Sequence, residues 1–169
     1  LAIASAVFAV PVDEKEVAVR ECLPGANCGA CGFSGCDGYA GALAKGETTE
    51  CNRCTPGGND VAAAIAEVLG LEAGSVTPMV AAVMCQGYCG NVDEKLEYNG
   101  VKSCKMAAQL FGGPKNCVYG CIGFGDCVKA CPYDAIFICE GVARISPDKC
   151  RACKMCINTC PRHLIDLFP

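Results

Sequence analysis

The sequence predicts an α+β fold in two small parts, a helical four-cysteine domain followed by a unit built on a repeated motif. Three observations carry this. Eighteen of the 169 residues are cysteine, with no Trp and a net charge of −4. A glycine-rich loop gathers Cys28, Cys31 and Cys36 at C-x2-C-x4-C spacing, and Cys54 returns after an intervening helical stretch. In the last third, a shift of 29 residues lays Cys121 on Cys150, Cys127 on Cys156, Cys131 on Cys160, Pro132 on Pro161 and Ile136 on Ile165. With an apolar content made largely of Ala, Val and Cys, the conventional core is thin, and chemistry at sulfur has to supply much of the folding free energy.

Taken in chain order, Leu1 to Val10 is an uncharged apolar run stopped by Pro11. It is shorter than the roughly 20 residues that a bilayer requires. It reads either as the first element of a soluble domain or as the trailing end of a membrane helix. Gly38 to Lys45 reads as a helix stopped by Gly46, and Asn59 or Asp60 as the cap of a helix through Val61 to Leu69 closed by Gly70. Cys54 is followed by Pro56-Gly57-Gly58, a turn that exposes backbone donors, whereas Cys51 sits in a polar run. Cys54 is therefore the expected partner of the loop cysteines, with Cys22 and Cys51 as free thiols. Ser103 is the expected cap of a helix from Cys104 to Phe111, ended by Gly112-Gly113-Pro114. Ala135 to Ile138 and Val142 to Ile145 read as strands joined at Glu140-Gly141. Cys139 is expected to be a small buried residue and His163, the single histidine, a surface one.

The spacing identifies the chemistry. Cys150, Cys153, Cys156 and Cys160-Pro161 form a C-x2-C-x2-C-x3-C-P run, the signature of a bacterial iron–sulfur site whose fourth cysteine ligates the other cluster. Cys150, Cys153 and Cys156 should accordingly pair with Cys131. The first copy carries Phe124 where the repeat demands the counterpart of Cys153, and a phenyl ring cannot bind iron. The nearest replacement is Cys117, giving Cys117, Cys121, Cys127 and Cys160; a three-iron cluster or a ligand from elsewhere is the alternative. Cys28, Cys31, Cys36 and Cys54 form a further set. Cys85, Cys89 and Cys104 are candidates for one more site with a borrowed ligand. The cofactors expected are [4Fe-4S] clusters, at least three, and four if that last trio binds one. The fold class is then a small helical four-cysteine Fe-S domain at 13–75, a cysteine-containing linker at 76–114 and a bacterial two-[4Fe-4S] ferredoxin-like domain at 115–169, preceded by 1–12.

Competing classes explain less. A disulfide framework suits an even cysteine count but does not need several cysteines packed within one loop and repeated in phase. Structural zinc uses C-x2-C pairs but rarely the full run seen here. Thiolate ligands point to a reducing compartment. The acidic charge grows by about two per oxidised cluster, and no basic stripe interleaved with aromatics is present, so nucleic acid is not an expected partner. Neither a dinucleotide-binding fingerprint nor a nucleophile–base constellation occurs, which leaves electron transfer without organic catalysis in this chain.

The loop LPGANCGACGFSGC with CTPGG, then MCQGYC, then GGPKNCVYGCIGFGDCVKACPYDAI and KCRACKMCINTCP, together resemble the B subunits of the Rnf family, especially the clostridial type. The resemblance implies an electron-transfer subunit of a membrane-bound complex that moves electrons from reduced ferredoxin towards NAD, coupled to Na+ or H+ translocation. It implies reduced ferredoxin and the other subunits of the complex as partners. It also implies a single-pass anchor in the cell membrane, of which 1–12 is the truncated end, with the Fe-S domains on the cytoplasmic side. A soluble polyferredoxin-type carrier or adaptor for a dehydrogenase or corrinoid protein is the second reading, and a zinc-stabilised interaction module the third.

Overall fold

The computed structural model describes residues 13–169, so the expectation for Leu1 to Val10 lies outside the described residues. Two compact units are separated between Val76 and Thr77.

In the first unit, α1 (Glu14–Cys22) starts where the Asp13 carboxylate accepts the Lys15 N–H at 2.9 Å. Glu14 and Glu16 in its first turn and Arg20 in its last suit the helix dipole. α2 (Cys36–Ala44) begins two residues before the expected start and takes Cys36 into its first turn. A short 3-10 turn, Thr55–Gly57, leads into α3 (Gly58–Leu69), which Gly70 closes in the left-handed conformation at φ 66°. Asn59 does not cap this helix: its side-chain oxygen accepts the Val76 N–H at 2.7 Å and ties down the end of the unit. The three helices bury Val19, Leu23, Tyr39, Leu43 and Ile65 with Cys51 and Cys54 in one core.

The second unit holds two antiparallel two-stranded sheets. β1 (Val80–Val83) pairs with β4 (Ile165–Phe168), Val80 opposite Phe168 and Val83 opposite Ile165. β2 (Ile136–Cys139) pairs with β3 (Val142–Ile145) through a turn in which Glu140 and Gly141 both have positive φ, as a tight hairpin requires. The remaining elements are α4 (Cys104–Gln109), α5 (Asp126–Lys129) and α6 (Met155–Thr159). Of the linker expected at 76–114, residues 77–114 pack within this unit and contribute β1 and α4. α4 stops short of the expected end because Leu110 turns extended, at φ −99° and ψ 100°, and Phe111 follows at φ 51°. Cys139, expected to be buried, is exposed, since β2 turns only Ile136 into the core.

The 29-residue shift also relates backbone conformations. It lays β2 on β4 and α5 on the start of α6. Left-handed residues coincide too: Gly123 with Ala152, Gly125 with Lys154 and Asp134 with His163. Ala152 at φ 51° and Lys154 at φ 60° take conformations that glycine adopts in the first copy. At Gly123 the need for glycine is steric as well, because a Cβ there would lie 2.5 Å from the Gly141 carbonyl oxygen.

Candidate metal centres

Three cavities are each framed by four cysteines. Cys28, Cys31, Cys36 and Cys54 line the first, together with Leu23, Pro24 and Tyr39. Local hydrogen bonds explain the convergence. The Asn27 side chain accepts the Cys36 N–H at 2.8 Å and caps α2 from outside the helix. Gly35, at φ 125°, leaves room for it, since a Cβ there would sit 3.0 Å from the Asn27 oxygen. From α2 the fully buried Tyr39 reaches the returning segment, donating its hydroxyl to the Glu50 carbonyl at 2.5 Å and accepting the Arg53 N–H at 3.4 Å. This pins the stretch that delivers Cys54. Burial, with the neighbouring Cys36, Cys31 and Cys28 adding to it and the Gly57 N–H pulling the other way, leaves the Cys54 thiol raised to about 11. Burial likewise drives the Tyr39 hydroxyl up to about 12. Cys51 is buried in the core with its thiol raised by desolvation, and Cys22 donates to the Ala18 carbonyl at 3.3 Å.

The second cavity is lined by Cys104, Cys121, Cys127 and Cys160 with Ile122, Leu164 and Ile165. Cys104 stands on this wall where spacing pointed to Cys117, which is exposed. The cause is tertiary. Phe124 packs against Tyr98 with ring centroids 5.2 Å apart, and both rings lie against the small core of Cys104, Ala107 and Ile122. The Asp126 carboxylate then accepts the Ser103 hydroxyl at 2.8 Å and the Lys105 N–H at 3.1 Å, fixing α4 by its first turn. Burial alone would raise the Asp126 carboxyl, but the Lys105, Ser103 and Cys104 donors and the charge of Lys129 hold it below the usual range. Desolvation pushes Cys127 up to about 12, with Cys121, Cys104 and Cys160 adding to the effect. Cys121 is raised too, against N–H donors from Ala143 and Gly123.

Cys131, Cys150, Cys153 and Cys156 line the third cavity with Ala81, Tyr133 and Ile136. The Ala81 N–H donates to the Cys150 sulfur at 3.4 Å, which gives β1 a part in the site. Cys156 is raised to about 11 by burial and by its cysteine neighbours. Of the remaining trio, Cys104 belongs to the second cavity. Cys85 is buried, and its sulfur accepts the Gly87 and Cys121 N–H groups, both at 3.3 Å. Cys89 is exposed beside Gly141. Lys115, itself buried, ties this loop to the β2–β3 turn by donating to the Gly87 carbonyl at 3.0 Å and the Gly141 carbonyl at 2.7 Å.

Among the described residues no three Cys, His, Asp or Glu side chains gather as a grip for one metal ion. The thiols stand around cavities instead of converging on a point. Buried thiols with raised pKa values resist ionisation until positive charge arrives, and metal binding supplies that charge with release of protons.

A family model described as "Putative Fe-S cluster" matches residues 23–56, the stretch that carries all four cysteines of the first cavity. Over its whole length the chain is 45% identical to the B subunit of the Na(+)-translocating ferredoxin:NAD(+) oxidoreductase complex of Acetobacterium woodii, covering 51% of that protein. It is 43% identical over 76% of its length to the B subunit of the proton-translocating ferredoxin:NAD(+) oxidoreductase complex of Clostridium ljungdahlii, covering 45% of it. It is also 38% identical over 90% of its length to the B subunit of an ion-translocating oxidoreductase complex of Methanosarcina acetivorans, covering 58%. The chain thus spans about half the length of the curated relatives it matches.

Proposed function

We propose that this chain, similar along its whole length to B subunits of ion-translocating ferredoxin:NAD oxidoreductase complexes of the Rnf type, is the iron–sulfur electron-transfer part of such a protein. The observation that carries this reading is the set of three cavities, each framed by four cysteines. Cys28, Cys31, Cys36 and Cys54 are the ligands of one [4Fe-4S] cluster. Cys104, Cys121, Cys127 and Cys160 serve a second, and Cys131, Cys150, Cys153 and Cys156 a third. The in-phase backbone of the second unit supports a two-cluster, ferredoxin-like arrangement in which each half lends its last cysteine to the other.

Bound in these sites, the clusters supply one-electron redox centres. The chain's own residues shape them. Apolar walls exclude water. Amide donors aimed at sulfur, from Gly57 to Cys54, from Gly123 and Ala143 to Cys121 and from Ala81 to Cys150, favour the thiolate and set how readily negative charge is accepted. Reduced ferredoxin is the electron donor in this reading, and NAD chemistry and Na+ or H+ movement belong to partner subunits. In this reading the complex is membrane-bound and these units lie at its cytoplasmic face.

Iron and acid-labile sulfide analysis with electron paramagnetic resonance of the anaerobically reduced chain tests the reading. About four irons and four sulfides per site and reduction by low-potential ferredoxin are expected. Zinc in place of iron, or indifference to reduced ferredoxin, would overturn it.

A further inference from the structure

Arg162 follows Pro161 and shares the wall of the second cavity with Cys104, Cys121, Cys127 and Cys160. One end of its guanidinium is tied, because Nη2 donates to the Gly112 carbonyl at 2.7 Å. Its Nε is buried and has no hydrogen-bond partner. A buried donor on a charged group is costly to leave without an acceptor, and a guanidinium does not escape the cost by losing its proton. The one carboxylate on the same wall, Asp126, is engaged by Ser103 and Lys105. The other lining groups are mainly hydrocarbon and sulfur.

We propose that the Arg162 Nε–H donates to sulfur of the cluster held by Cys104, Cys121, Cys127 and Cys160, and raises its reduction potential above that of the cluster held by Cys131, Cys150, Cys153 and Cys156. This rests on the cluster assignment made under the proposed function. Reduction adds one electron from the external donor and no proton, so the site becomes more negative. A fixed cation with an N–H aimed at sulfur favours that state over the oxidised one. The repeat sharpens the contrast. Shifting Arg162 back by 29 residues gives Tyr133, a neutral side chain on the wall of the third cavity. Arg151 and Lys154 also border that cavity, but both are exposed and screened by solvent.

The test is a potentiometric titration followed by electron paramagnetic resonance on the reconstituted full chain, comparing wild type, R162Q and R162K. In R162Q one potential should fall by about 59 mV, a tenfold change in a one-electron equilibrium, while the others stay in place. R162K, which keeps the charge but loses the planar fork, should recover part of the shift. R162Q with full iron and unmoved potentials overturns the proposal, because a residue that merely tied down Gly112 would leave them alone. Should R162Q lose iron, pulsed resonance on reduced wild type labelled with nitrogen-15 arginine decides instead: a coupling to one cluster supports the donor role, and none overturns it. Wild type that binds no cluster removes the underlying assignment as well, so the two failures are distinguishable.

Discussion

Replacing Cys104 and Cys117 in turn with serine separates spacing from tertiary structure. Cys104 is 9% exposed and lines the second cavity, while Cys117 is exposed to solvent. C104S removes one of four thiolates from one of three sites. The chain should lose about four of about twelve irons if that cluster fails to assemble, or about one if a three-iron cluster forms in its place. C117S should retain them all. Serine at 104 also removes a sulfur packed against Ala107 and Ile122, a cost to the fold of about 1 kcal/mol, too small to empty the other two sites. Iron analysis with integrated electron paramagnetic resonance of each variant reads the difference. Full iron in C104S together with a loss in C117S would refute the reasoning and return the fourth position to the nearest cysteine in sequence.

Three further substitutions probe the scaffold. C54S should strip the cluster of the first unit, whereas C51A should keep its iron and lose about 1–2 kcal/mol in denaturant titration, as expected for a fully buried residue outside the cavity. N27A removes the acceptor for the Cys36 N–H and should cost about 1 kcal/mol, the usual value of an N-cap, by the same measurement. K115M leaves the Gly87 and Gly141 carbonyls without their shared donor; a loss of about 2–3 kcal/mol is expected, and stability unchanged from wild type would mean that the bridge contributes nothing.

What the sequence discloses depends on how local the cause is. Cys28, Cys31 and Cys36 share one loop, and Cys150, Cys153 and Cys156 share another, so spacing alone brings them to one wall. The 29-residue repeat was legible because ligand runs of this kind impose it on both chemistry and backbone, down to the left-handed φ at His163 that mirrors Asp134. Cys104 was not legible as part of the second cavity. It arrives there through Phe124 and Asp126, some twenty residues further on, and no spacing rule connects them. β1 escaped for a similar reason: Val80–Val83 acquires its strand character from β4 at the far end of the chain. α1 lies in a charged stretch with a weak apolar stripe, where its capping by Asp13 was the available signal. Cys139 follows an apolar run and was expected to be buried with it, while β2 buries only Ile136 and leaves Phe137, Ile138 and Cys139 exposed.

Anomalous scattering at the iron absorption edge, from crystals of the anaerobically reconstituted chain, tests the central claim most directly. Iron should lie in three places, surrounded by Cys28, Cys31, Cys36 and Cys54, by Cys104, Cys121, Cys127 and Cys160, and by Cys131, Cys150, Cys153 and Cys156. Iron bound by Cys117 in place of Cys104, or cysteines joined to one another with no metal between them, would contradict it.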